Sequence, residues 1–465
     1  MRRAIDWRKQ KGYMKFSPLG ANTALSVAAL SLLITAFPKD AMAVPSYARQ
    51  TGLPCIGCHY DPPELNPEGR LFKLLAYVQG ASLLGSITAK SSGKNAGLDL
   101  LQALPLSVML QTSYTSLNSP EPNTQNGSFE FPQNISLFLS GAWTSNVGSY
   151  LQVSYDTQAN HFGMNNTDIR FANQTKADGK DLVYGLDFNN NPTVEDLWND
   201  TPAWGVPLIQ SDFAPTPAAV PIIDGPLGQD VAGFGGYTMW NSHVYLDVTA
   251  YTSEHLGAQQ PNTGNGFSYN IRNAAPYWRL AYQGQTSTMQ YEIGTYGMHL
   301  HSSPNTVVGP EDDYTDYAFD TQIDQSLFQT DVLSFRGNFI HENSDLLASL
   351  SQGLASQGGN HLNTGTVNAQ YLLGSKYSGT FEWFETNGTT DPLRYAPAPV
   401  TGSANGNPRS AGYILNLSYW PWQNLQISPQ YTAYTRFNGG STNYDGSGRN
   451  ASANNTFYLD VQFLF

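Results

Sequence analysis

The sequence predicts an all-β chain, a transmembrane antiparallel β-barrel of about 16 strands. Three observations carry this. From Leu104 onward, runs of roughly ten residues alternate apolar with polar side chains, the period of a strand with one face toward lipid. The links between runs are by turns tight and long. The last run puts Phe457, Leu459, Val461, Phe463 and Phe465 on one face and Tyr458, Asp460 and Gln462 on the other. The composition agrees, with 27 Tyr, 9 Trp and 43 Gly in a chain of 465 residues with few charges. A soluble β-solenoid or adhesin shares that composition, so strand and loop lengths must decide. After Ala43 no stretch approaches the ~20 apolar residues of a spanning helix.

Taken in order, the strands fall at 104–116, 130–143, 149–157, 167–175, 182–190, 236–240, 243–254 and 275–284, then at 287–300, 314–325, 328–342, 361–374, 377–388, 410–421, 424–437 and 452–465. The run at 236–240 is too short to span and must extend into the Gly-rich stretch before it. Ser145-Asn146-Val147-Gly148, Asn241-Ser242, the neighbourhood of Thr286, and Gln423-Asn424 are tight links. With both termini periplasmic, short periplasmic turns and longer outer loops give this phase. The third outer loop, 191–235, is the longest and holds Pro215, Pro217 and Pro221. By analogy with porins it is expected to fold inward and narrow the channel.

Residues 1–43 read as an export signal. Arg2, Arg3, Arg8, Lys9, Lys11 and Lys15 form a basic n-region, Ala21 to Ala36 a small-apolar core, and Ala41-Met42-Ala43 the cleavage site. Met14 would open a signal of more usual length. Arg2-Arg3 also fits the twin-arginine route, but a barrel should not travel folded, and the general secretory route is preferred. Removing these residues takes away seven basic and two acidic side chains, leaving 16 basic against 34 acidic in the mature chain. That balance argues against nucleic acid as a partner. The expected location is the outer membrane of a Gram-negative-type bacterium.

The chain has two cysteines, in Cys55-Ile56-Gly57-Cys58-His59. C-x-x-C-H is the attachment motif of c-type haem: two thiols form thioethers with the porphyrin vinyls, and the adjacent His59 becomes the proximal iron ligand. A redox disulfide and half of a zinc site are the alternatives. Zinc wants four ligands and no second Cys pair exists; a redox C-x-x-C belongs on a βαβ scaffold, which the sequence does not suggest. One covalent haem c is therefore expected on residues 44–102, with the barrel on 103–465.

The flanks extend the motif: Ala48-Arg49-Gln50-Thr51-Gly52 before it, then Pro63-Glu64-Leu65, Gly69-Arg70 and Phe72-Lys73 after it. This run resembles the N-terminal haem segment of the fused cytochrome–porin family, outer-membrane proteins that include ferrous-iron oxidases. The family pattern is approximately A-R-Q-T-G, C-x-x-C-H, P-x-L, F-G-R-x-F-K, and Glu68 stands where Phe usually precedes Gly-Arg. The match covers Ala48 to Tyr77; beyond it the similarity is one of architecture.

From Val44 to Val108 there is no Met, and no His except His59. A six-coordinate haem would need its distal ligand from elsewhere. This suggests a segment plugging the lumen, with Met109, lumen-facing near mid-strand, as the distal candidate. His243 and Met239, expected to face the lumen near its periplasmic end, come next, and Met298 faces inward near the outer end. The alternative is a free domain below the barrel, with water or Lys73 on the iron. Arg49, Arg70 and Lys73 either pair with haem propionates or contact solvent and lipid headgroups. His161, His255, His299, His301, His341 and His361 gather at the outer end with Glu254, Glu311, Asp312, Asp313, Asp316, Glu342 and Asp345. They are metal ligands or simply polar loop residues.

The resemblance implies outer-membrane electron transfer. Extracellular Fe(II) would be the donor, and a periplasmic c-type cytochrome or copper protein the acceptor. The competing reading is a diffusion porin gated by haem; a third keeps electron transfer with another donor or the opposite direction. No acid–base pair or nucleophile is required.

Overall fold

The computed structural model describes residues 45–78, 105–205, 209–253, 270–304, 309–328 and 330–465, with the short pair Thr88–Ala89 and Leu100–Leu101. The expected export signal, the boundary at 102/103, Glu254 and His255 lie outside the described residues.

Sixteen spanning strands form one closed antiparallel barrel. They are β1 Leu106–Leu117, β2 Ser128–Leu139 continuing as Gly141–Ala142, β3 Val147–Asp156, β4 His161–Ala177, β5 Lys180–Asn189, β6 Val231–Trp240, β7 Val244–Ser253 and β8 Asn270–Arg272 continuing as Ala275–Gln285. The circuit continues through β9 Met289–Ser303, β10 Asp312–Leu327, β11 Asp331–Asp345, β12 Gly359–Leu373, β13 Tyr377–Gly388, β14 Ser410–Trp422, β15 Leu425–Arg436 and β16 Thr456–Leu464. Closure comes from β16 on β1, with Thr456 opposite Leu117 and Leu464 opposite Met109. The run expected at 236–240 does begin earlier, at Val231.

The burial pattern is that of a soluble protein turned inside out. Ile293, Phe319 and Leu417 are 62, 61 and 60 % exposed, while Asp247, Asp316 and Arg279 are 0 % exposed. Alternation forces this. On β7, Tyr245, Asp247, Thr249 and Tyr251 are buried inside, and Leu246 and Val248 are exposed outside. Such an apolar exterior is stable against lipid, and closure leaves no edge strand unpaired.

One end carries the short turns, among them Asn241-Ser242, where both residues have positive φ (53° and 59°) as a type I′ hairpin turn requires. The first residue of β1 and the last of β16 lie at this end. The other carries the long connections, including 190–230, 389–409 and 437–455.

The third long connection, 190–230, folds into the lumen. Val194, Leu197 and Trp198 are buried on one side and Ile222, Ile223 and Leu227 on the other. Its tip is held by wall carboxylates: the Ile222 N–H donates to Glu342 Oε2 at 2.6 Å and the Ile223 N–H to Asp316 Oδ2 at 2.9 Å. Leaving a buried donor without its acceptor costs about 1–3 kcal/mol. Replacing Asp316 and Glu342 together by Ala should free this tip while the strands stay paired. Amide exchange at Ile222 and Ile223 should accelerate and bilayer conductance should rise. Unchanged exchange would show that these carboxylates do not hold the loop.

Candidate functional site

The segment before the barrel is a compact helical unit. α1, Ser46–Thr51, ends at Gly52, whose φ of 71° supplies a left-handed cap. A 3-10 turn, Cys55–Gly57, follows, with the Cys55 carbonyl accepting from the N–H groups of Cys58 (3.1 Å) and His59 (3.0 Å). α2, Pro67–Leu74, starts where Asn66 accepts from the N–H groups of Glu68 (3.0 Å) and Gly69 (3.1 Å), with Pro67 at its first position. Tyr47, Phe72 and Tyr77 pack α1 on α2, the Tyr47–Phe72 centroids being 4.9 Å apart and edge-on.

His59 Nδ1 lies 3.1 Å from the Glu64 carbonyl, in a loop closed by a β-bridge between His59 and Leu65. A carbonyl only accepts, so Nδ1 carries the proton and Nε2 keeps its lone pair. Burial pulls the imidazole down to about 4, so its neutral form prevails at neutral pH. This is how a metal-ligating histidine is commonly oriented, its second nitrogen fixed by a backbone oxygen. Both cysteines are free thiols. Burial pushes Cys55 up, and burial, then Glu68 and Cys55, push Cys58 up to about 11. A redox C-x-x-C needs a thiol shifted the other way. The turn that sets His59 directly behind the two thiols, with its Nε2 lone pair kept, fits a covalently held haem.

The motif lies at the short-turn mouth. Cys55 Sγ is 3.3 Å from the carbonyl of Gln423, in the turn between β14 and β15. Asp61 accepts from Ser378 and, at 2.9 Å, from Gln426. Arg70 pairs with lumen-facing Asp324 at 2.6 Å, and Glu64 pairs with Arg336. On the opposite side, Gln50 Oε1 accepts from the Ala142 N–H (2.8 Å), and Tyr77 donates to Asp168 (2.6 Å). Buried pairs of this kind fix position more than they add stability.

Lys73 is 2 % exposed and donates to the carbonyls of Val194 (2.6 Å) and Asp196 and to Asn199 Oδ1 (2.8 Å), all in the inward loop. Burial, with Arg170 adding to it, lowers its pKa to about 7. The same loop meets the wall cations. Arg170 donates to the Glu195 carbonyl (2.6 Å), and Arg279 pairs with Asp196 (2.9 Å) and Asp320 (2.6 Å).

Several expected placements change. Arg70 and Lys73 contact neither solvent nor headgroups: the wall and the loop take them, and Lys73 has no free nitrogen for iron. Arg49 donates to the Leu106 carbonyl. Met109 does face the lumen, lining a cavity of about 410 Å³ with Gln111, Ser136, Ser154 and Trp204. It is the fourth of the 12 residues of β1, between the short-turn end and the middle of the strand. Cys55, Cys58 and His59 do not line that cavity. Met239 faces inward and packs with Leu74 and Trp198, and Met298 faces inward against the loop. His243 does not face the lumen. Its ring stacks on outward-facing Tyr282, and its Nδ1 meets the Gln283 carbonyl at 2.9 Å, because it belongs to the turn, where strand parity no longer holds.

The acidic and histidine group at the long-loop end splits between two faces. Asp312, Asp316 and Glu342 are buried on the lumen side. His299, His301, His341 and Asp313 alternate with lumen-facing residues and point outward. Unanticipated from the sequence were Arg170, Arg279 and Arg336. The signal was available: each is a cation within a strand, next to an outward apolar residue, and so must point inside. Arg336 keeps Nε and Nη1 buried without a hydrogen-bond partner.

No protein-family model and no curated protein matches this chain. Solved structures are similar in fold. The outer membrane channel DcaP of Acinetobacter baumannii is 12 % identical, with a TM-score of 0.48, covering 77 % of this chain and 96 % of its own. An anion-selective porin from Comamonas acidovorans is 11 % identical, with a TM-score of 0.45, covering 77 and 98 %. OmpF of Salmonella typhi, in complex with daunomycin, is 10 % identical, with a TM-score of 0.44, covering 77 and 97 %.

Gly69 packs against the motif so closely that a Cβ there would lie 2.2 Å from the Cys58 carbonyl oxygen and 2.9 Å from Leu65 Cδ2. Gly69→Ala must push α2 off the motif, at a cost of about 1–3 kcal/mol for overpacking. The altered docking should appear as faster proteolysis within 52–66, with barrel mobility on gels unchanged. Wild-type proteolysis would mean that the contact is readily relieved.

Proposed function

We propose that this protein is an outer-membrane c-type cytochrome that oxidises extracellular ferrous iron and hands the electrons to a periplasmic carrier, a c-type cytochrome or a copper protein. Each Fe²⁺ becomes Fe³⁺, and the carrier gains the one electron lost. The observation that carries this reading is Cys55-Ile56-Gly57-Cys58-His59 held at the short-turn mouth of a membrane barrel by a segment docked inside it. The similarity of Ala48 to Tyr77 to the fused cytochrome–porin family supports the donor.

When bound, haem c supplies a one-electron Fe(III)/Fe(II) couple. Cys55 and Cys58 would hold it covalently and His59 Nε2 would ligate its iron, with the Glu64 carbonyl keeping the ring in the right tautomer. Arg336 is a cation at this end with donors to spare for an anionic edge. The lumen-facing carboxylates favour cations over anions along the interior. The apolar exterior insulates across ~25 Å of lipid. Cavities of about 410 and 400 Å³ remain beside the inward loop. They keep a second reading open, a diffusion porin whose passage haem regulates.

Fe²⁺ added anaerobically to the oxidised, full-length protein should convert the haem spectrum to its reduced form, faster than a bulky iron chelate does. An oxidised spectrum that persists over a wide pH range would refute iron oxidation. Large, stable conductance in planar bilayers would then favour the porin.

Met109 is our candidate for the distal ligand. It pairs with Leu464, whose N–H donates to the carbonyl of Asn424, next to the Gln423 that Cys55 touches. A thioether ligand favours reduced iron and raises the potential. Met109→Leu should therefore abolish any thioether-to-iron absorption band and lower the haem potential, with covalent haem retained. If neither changes, Met109 is a packing residue.

A further inference from the structure

On β9 the lumen side chains Glu292, Tyr296, Met298 and Leu300 are buried, and His299 and His301 alternate with them on the outer face. Across the ladder, His299 sits opposite Thr315 and His301 opposite Asp313. On the same face of β10, Tyr317 and Phe319 belong to the exposed apolar belt. Thr315 and Asp313 are the next two outward positions, each about 6.6 Å further toward the long-loop end. β9 and β10 have 15 and 16 residues, more than the ~9–11 that a membrane strand needs. Their ends therefore stand clear of the belt. His301 is 39 % exposed by side chain.

The two imidazoles are held by their outer nitrogens. His301 Nδ1 is hydrogen-bonded to Asp313, and His299 Nδ1 lies 2.8 Å from the Thr315 hydroxyl. A carboxylate only accepts, so His301 Nδ1 bears the proton and its Nε2 is a free lone pair. That Nε2 is 3.3 Å from the Nε2 of His299, with the rings at 87°. Two nitrogens bound at about 2.0–2.1 Å to one tetrahedral ion stand roughly 3.3–3.4 Å apart. Glu311 adds negative charge, its Oε2 4.0 Å from His301 Nδ1, while pairing with Arg272 at 2.7 Å.

We propose that this rim binds a divalent transition-metal ion of borderline softness, with His299 Nε2 and His301 Nε2 as its protein ligands and Asp313 and Thr315 as positioning residues. Paired imidazole donors select such ions over magnesium or calcium. Without metal, the His299 Nε2–H donates to His301 Nε2; on binding, that proton moves to His299 Nδ1, which then donates to the Thr315 hydroxyl, so both Nε2 lone pairs reach the ion with each ring neutral. The site is on the outside of the wall, apart from the lumen and from Cys55-Ile56-Gly57-Cys58-His59. It stands or falls independently of iron oxidation.

The test is Cu²⁺ titration of the oxidised, detergent-purified, full-length protein, followed by electron paramagnetic resonance. One bound copper with two-nitrogen coupling is expected. His299→Ala and His301→Ala should each abolish that signature, and Asp313→Asn should keep it with roughly 10–100-fold weaker affinity, as for other partners of ligating histidines. Heat-modifiable gel mobility confirms an intact barrel in each variant. No two-nitrogen signal in the wild type, or the same signal and affinity in either alanine variant, overturns the site. Unchanged affinity in Asp313→Asn overturns its positioning role.

Discussion

An ammonium group buried among protein atoms is tolerable only when oxygen atoms replace its water. In this molecule one such group ties the docked segment to the inward loop. The Nζ of Lys73, at the end of α2, is surrounded by oxygens from Val194, Asp196 and Asn199. Those residues form a cup because the loop turns sharply at Thr193 and Asn199, both with positive φ. Having turned, the loop presents Asp196 to Arg279 and the Glu195 carbonyl to Arg170 on the wall. Segment, loop and wall are thus three parts of one polar lock.

The lock is a local case of a wider constraint. A closed barrel in lipid sends every second side chain into a confined interior, which here collects charge. Along β10 the lumen-facing aspartates fall at 312, 316, 320 and 324, each buried and each given a distinct task. Asp312 receives the N–H of Ser349 at the start of the short helix α3, Leu347–Ser351 (2.9 Å), and Asp316 receives the loop tip. Asp320 binds Arg279, and Asp324 binds Arg70 of α2. One strand therefore organises the interior from the long-loop mouth to the docked segment. A step of four residues, twice the strand period, keeps all four on one face.

What was legible in the sequence follows the same period. Strand 377–388 is found where it was read, and the others differ by a few residues at their ends, or begin earlier, as at Val231. Parity placed Met109, Met239 and Met298 correctly because each lies within a strand. It failed for His243, which follows two left-handed residues in a turn. Parity also distinguishes Asp312 from Asp313, a distinction that reading the rim as one polar cluster passes over. The partners of Lys73 and His59 were not legible for a different reason. They include backbone carbonyls of Val194, Asp196 and Glu64, and every residue type supplies a carbonyl. Only the fold decides which one arrives.

The docked segment is held by both flanks of the seam at which the barrel closes. Gln50 bonds Ala142, the last residue of β2, while Cys55 reaches Gln423, which lies 368 residues further along the chain and just before β15. Contacts so distant in sequence are the last to form, because loop closure must come first. The N-terminal residues leave the ribosome first yet complete their environment last. The segment sits in the short-turn mouth, so docking joins strands that the chain makes far apart onto one short unit. One short unit thus clasps the two edges of the circuit together, while Cys55, Ile56 and Cys58 keep an open side at the mouth.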